Sequence, residues 1–153
     1  MSNKRFAILL GSVFSGLLLA AVVHSEILGN YAGYTACEPC HADIVKSWKA
    51  TPHANAFEGL KAQGEEKQEN PGCLQCHVVA YGKDGGFIDM ELTPELKDVQ
   101  CESCHGPSKP HSETLTTEGL VKPGEEICRT CHTEEQDQNF DYATKSKLVH
   151  PVP

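Results

Sequence analysis

All eight Cys of this 153-residue chain fall in pairs with two residues between them, and each pair is followed at once by His. The four sites are Cys37-Glu38-Pro39-Cys40-His41, Cys73-Leu74-Gln75-Cys76-His77, Cys101-Glu102-Ser103-Cys104-His105 and Cys128-Arg129-Thr130-Cys131-His132. Two thiols three positions apart lie on one face of a single helical turn. They can bond both vinyl carbons on one edge of a porphyrin, and the adjacent His can then turn under the ring towards the iron. C-x-x-C-H is the attachment signature of c-type haem. Four copies with no Cys left over predict four covalent haem c groups and no disulfide. Four disulfides would use the Cys but would not place His after every pair. Structural zinc wants pairs some 15–20 residues apart, and a thioredoxin-like pair would occur once, beside a βαβ pattern.

The composition agrees with a core made of porphyrin. Only 39% of residues are hydrophobic and 7% aromatic, and part of that sits in the first 25 residues. A chain so poor in core-forming side chains usually needs staples. Lys4 and Arg5 precede an apolar run from Phe6 to Val23, followed by Val23-His24-Ser25. This is the layout of a secretory signal peptide over residues 1–25, with an uncleaved N-terminal anchor as the rival reading. Residues 26–153 then form one exported domain, placed in the periplasm and membrane-associated only if the N-terminal segment is retained. Of 13 basic residues two lie in that segment, so the mature charge is 11 − 21 = −10. Such a balance argues against nucleic acid and favours redox partner proteins with a positive docking patch.

Four His lie outside the motifs: His24, His53, His111 and His150. His24 would leave with the signal segment. His53 follows Thr51-Pro52, a helix-opening pair, and the helix is expected to run through Ala62. His111 is presented by the Pro-rich stretch Gly106-Pro107-Ser108-Lys109-Pro110, and His150 stands near the end of the chain. His41, His77, His105 and His132 are the expected proximal ligands; His53, His111 and His150 are the candidate distal ligands. Three distal His cannot serve four irons. Met90, the only Met beyond the signal segment, could ligate, although a packing role suits it better.

The rest of the pattern predicts a mainly α fold with extensive loops around a haem-packed core. Ala42 to Ala50 reads as a short helix, and Gly64 to Asn70 as a solvated loop. Val78–Tyr81, Gly82–Gly86 and Phe87-Ile88 read as a small β-hairpin. No triad with free members and no phosphate loop is present, which favours an electron carrier over an enzyme. Reduction of a small nitrogen oxide at an open haem remains an alternative reading. So does a subunit of an extracellular cytochrome filament, a homo-oligomer in which a neighbour's His completes a haem.

Three segments resemble the tetrahaem cytochrome c-554 family. They are Cys37 to Leu60 with Ser47-Trp48-Lys49 and His53-Ala54; Gly72–Val78 with Tyr81-Gly82 and Gly85-Gly86; and Val99–Pro107 with His111 shortly after. The fourth motif matches only as C-x-x-C-H, and the segment after it is much shorter. The resemblance implies electron shuttling in the periplasm, in that family's best-known members away from hydroxylamine oxidation. It also implies that His111 serves the first haem, His53 the third and a C-terminal His the fourth. The second haem, at His77, is then left without a sixth ligand.

Overall fold

The computed structural model describes residues 29–150. The expected signal segment or anchor, and His24 with it, lie outside the described residues. Among the described residues no helix is long and apolar enough to cross a membrane. The architecture is a succession of short helices joined by turns: α1 (Tyr34–Cys37), α2 (Ala42–Lys49), α3 (Ala56–Lys61), α4 (Pro71–His77), α5 (Cys101–His105), α6 (Lys109–Thr114), α7 (Glu125–Arg129) and α8 (Tyr142–Lys145). The four attachment motifs occupy or border α1, α4, α5 and α7, so each Cys pair rides on one helical turn, as the spacing requires.

The polypeptide's own core is small. Phe57, Leu60, Leu74, Val78, Val79, Phe87 and Leu96 form one buried cluster, with Tyr31, Cys73, Ala80 and Tyr81 packed against it. At roughly 1.5–3 kcal/mol for each large apolar side chain buried, this supports one local unit around α3 and α4. Elsewhere polar ties hold the loops. Trp48 on α2 donates its indole N–H to the Val99 carbonyl at 2.9 Å. The Gln100 side chain accepts from the Tyr34 N–H at 2.7 Å and donates to the Glu95 and Lys97 carbonyls at 2.6 Å each. Buried Asp98 accepts the Phe57 N–H at 2.9 Å. Burial pushes the Asp98 carboxyl above its ordinary range, and that N–H works against the shift.

Several expectations are corrected. The small β-hairpin does not form; among the described residues there is only an isolated bridge between Val78 and Lys97. Val79 donates to Leu96 and accepts from Phe87, both at 2.9 Å, but the ladder stops there. Ala80 has φ 53°, which takes the chain out of the extended region. On the other side Asp89 accepts the Glu91 and Leu92 N–H groups, and Thr93 accepts that of Ile88, which bends the chain into a turn. Gly86 belongs to this arrangement because a Cβ there would collide with the Ala80 carbonyl. The helix expected from Thr51-Pro52 begins as a 3-10 turn over Pro52–Asn55 before α3. Thr51 does not cap it; its hydroxyl donates back to the Trp48 carbonyl at 2.7 Å. Glu65–Glu69, expected as loop, is a 3-10 turn, and His111 sits on helix α6.

Candidate haem centres

Each proximal His follows its second Cys at or just beyond the end of a helical turn. The His41 and His132 N–H groups donate to the carbonyls of Cys37 and Cys128, both at 2.9 Å, which closes the turn in the first and fourth motifs. None of the eight Cys is in a disulfide. Burial pushes the Cys104 thiol up to about 11. Burial, then a bond with Cys131, does the same to Cys76, also about 11. These groups are neutral thiols near pH 7. Adding S–H across a vinyl C=C would form each thioether with no atom lost.

Ring nitrogens show how the imidazoles are oriented. Nδ1 of His77 bonds the Ala56 carbonyl at 2.6 Å, that of His105 the Val121 carbonyl at 3.0 Å and that of His111 the Thr116 carbonyl at 2.6 Å. A carbonyl only accepts, so each Nδ1 carries the proton and Nε2 is the nitrogen left for a metal. In the fourth motif Nδ1 of His132 meets a carboxylate oxygen of Asp137 at 3.0 Å. Burial, and next the His132 ring, lower His53, which keeps that imidazole in the neutral form that ligates.

Six imidazoles stand in three facing pairs. The ring centroids are 6.3 Å apart for His41 and His111, 6.1 Å for His53 and His132, and 6.3 Å for His105 and His150. Two metal–imidazole bonds of about 2 Å, with about 1 Å of ring on either side, place centroids about 6 Å apart. Each pair therefore leaves room for one iron between its rings. Nδ1 of His150 is also a buried polar atom with no partner in the polypeptide among the described residues.

The pairing differs from the one the family resemblance implied. His111 does face the first motif. His53, however, faces His132 of the fourth motif, and His150 faces His105 of the third; the two are exchanged. The cause is backbone placement. The Val99 N–H donates to the His53 carbonyl at 3.1 Å, which holds His53 just ahead of the third motif with its ring turned to His132. Of the eight His, six are in pairs and His24 is outside the described residues, so His77 is the one left over. Met90 is 43% exposed. It lines a cavity of about 450 Å³ with Phe57, Leu74, Tyr81 and Phe87.

The Cys groups also order the sites in space. Cys37 and Cys101 perturb one another, which puts sites one and three side by side. Cys131 adds to the rise that burial gives Cys76, which puts site four near site two. Cys128 and Cys131 add to the rise that burial gives Cys104, which puts site four near site three. The attachment edges thus run in the spatial order one, three, four, two. Glu102 is a residue the sequence reading passed over. It lies between the two Cys of the third motif and is 4% exposed.

Such a chain, with C-x-x-C-H turns close to one another and imidazoles set in pairs, is a multihaem c-type cytochrome, a haem c protein of electron transfer. Comparison with known proteins says the same. The family profile described as "Cytochrome c554 and c-prime" matches residues 36–106, and one for a doubled CXXCH motif matches residues 94–137. Cytochrome c-554 of Nitrosomonas europaea is 37% identical over 92 residues, 52% of this chain and 39% of that one. Cytochrome c-type protein NrfB of Escherichia coli O6:H1 is 31% identical over 136 residues, 83% of this chain and 65% of that one. The chain therefore spans about two fifths and just under two thirds of these relatives. The reduced-state structure of cytochrome c554 from Nitrosomonas europaea superposes with a TM-score of 0.58 at 26% identity, covering 78% of this chain and 83% of that one. Over residues 36–106 the chain is similar to cytochromes of the c-554 family.

Proposed function

We propose that residues 26–153 form a periplasmic tetrahaem electron carrier, exported by the N-terminal segment, with a haem at each of the four motifs. The observation that carries this reading is the proximity of the attachment edges in the order one, three, four, two. It supports a continuous relay between a donor at one end and an acceptor at the other. Each haem iron, when bound, takes up and gives up one electron. The polypeptide attaches the rings through its eight Cys and holds His41, His77, His105 and His132 by their Nδ1 bonds or helix ends. His111, His150 and His53 would supply a second imidazole at sites one, three and four. Imidazole on both sides, rather than Met, favours low potentials. The acidic surface selects redox partners with a basic docking patch.

Intact mass tests the haem count. The periplasmic protein should weigh as residues 26–153 plus four haems, with no Cys–Cys crosslink. Three haems or fewer, in protein matured by a full attachment apparatus, rejects the reading. Retention of the first 25 residues in the membrane fraction replaces the signal peptide by an anchor.

His77 favours a second property of the same protein. With no imidazole facing it among the described residues, its iron should be five-coordinate and high-spin. Carbon monoxide should then bind one iron in four on reduction. A monomer with four low-spin irons refutes this. Low-spin conversion only on self-association would favour the filament.

A further inference from the structure

We infer that Glu102 is a tuning residue: a carboxylate buried between the first and third haem sites that holds the potentials of both haems down. The inference rests on the proposed haems at those sites and goes beyond it in assigning Glu102 a role.

Glu102 follows Cys101 directly and is almost wholly buried. One carboxylate oxygen accepts from the Ala32 N–H at 3.1 Å, the Ser108 N–H at 2.8 Å and the Ser108 hydroxyl at 2.8 Å. The other accepts from the Ala32 N–H at 3.1 Å and the Gly33 N–H at 2.9 Å. Backbone N–H groups can only donate, and they approach both oxygens. The site is thus built for a carboxylate that accepts on each oxygen. Gly33 has φ 71°, and a Cβ there would stand 3.1 Å from the Glu95 carbonyl, so the backbone at this donor suits glycine. Among the described residues no Lys or Arg forms an ion pair with Glu102. Dipoles hold its charge without cancelling it.

That charge sits where two haem edges meet. Glu102 is next to Cys101 of site three in the chain, and Gly33, whose N–H it accepts, takes the Cys37 Sγ of site one on its carbonyl at 3.9 Å. The field of the carboxylate would act on the haems attached at both sites. A ferric haem carries one more positive charge than a ferrous one, so a nearby carboxylate stabilises the ferric form. A unit charge some 10 Å away, at an effective dielectric near 20, shifts such an equilibrium about tenfold. For a one-electron couple a tenfold shift is about 59 mV.

The test compares two variants as full holoproteins, by spectroelectrochemical titration. The steps of sites one and three are identified as those displaced in His111→Ala and His150→Ala. Glu102→Gln removes the charge and should ease reduction of both haems about tenfold, leaving sites two and four in place. Ser108→Ala keeps the charge and removes one hydroxyl dipole that offsets it. It should shift the same two haems the opposite way, by about two- to threefold. Haems attached in full but unmoved in Glu102→Gln overturn the inference. So does a shift of the same sign in both variants, which would mark Glu102 as a packing clamp only. If Glu102→Gln yields no holoprotein, Ser108→Ala decides alone: harder reduction at sites one and three supports the role, and no change or easier reduction refutes it. A wild-type protein with fewer than four haems fails the proposed function instead.

Discussion

In a His53→Ala variant, the iron at Cys128, Cys131 and His132 is expected to lose its sixth ligand and become high-spin, while the third site stays low-spin. The expectation follows from the 6.1 Å spacing of the His53 and His132 rings. It opposes the order implied by family resemblance, which sends His53 to the third haem. The wild-type protein should show three low-spin irons and the variant two. Carbon monoxide uptake should rise from one iron in four to two. Double variants then read the pairing directly. His53→Ala with His132→Gly strips one iron of both imidazoles, so a single site is perturbed. His53→Ala with His105→Gly perturbs two. The reverse outcome would restore the resemblance-based order, and an unchanged spectrum in His53→Ala would make His53 a bystander.

A second large effect is expected away from the haems. Phe57→Ala should cost about 3–5 kcal/mol, the usual range for a large aromatic removed from a core, and lower the melting temperature by about 10 °C or more. Phe57 is 3% exposed, and its ring centroid lies 5.7 Å from that of Phe87 at 54°. With only seven residues in the buried cluster, few neighbours are available to collapse into the gap. The site is also coupled to chemistry, because the adjacent Ala56 carbonyl holds Nδ1 of His77. Thermal unfolding of the holoprotein by near-ultraviolet circular dichroism gives the measurement. A loss under about 1 kcal/mol would mean that the porphyrins, rather than this cluster, hold α3 against α4.

The attachment chemistry was legible in the sequence because each motif is local: five consecutive residues specify one turn and one porphyrin edge. Helix α2 was legible for the same reason, with Val45 and Trp48 buried on one face. The candidate distal His emerged by counting, since few imidazoles exist. Their pairing did not, because each pair joins segments distant in sequence, and their relative placement depends on long-range ties such as Val99 to His53. The expected hairpin failed at Ala80 and Asp89, where one positive φ and one side-chain turn outweigh an alternating pattern. Glu102 was missed because a charged residue inside C-x-x-C reads as solvent-facing; its partners Ala32, Gly33 and Ser108 lie on either side of it in the chain.

The exchanged pairing has a consequence for how the molecule is made. In the export proposed above, the chain would emerge from its N-terminal end. Under the ligation proposed above, site four finds His53 already waiting when His132 arrives, and site one closes when His111 follows. Site three is different: its clasp comes from His150, the last of the eight imidazoles to appear. The third haem would therefore spend its early life with one axial face bare, next to a first haem already sealed. A nascent protein caught at that stage would have two reactive irons where the finished one has a single open site, and the arrival of the tail would act as the final lock on the assembly line.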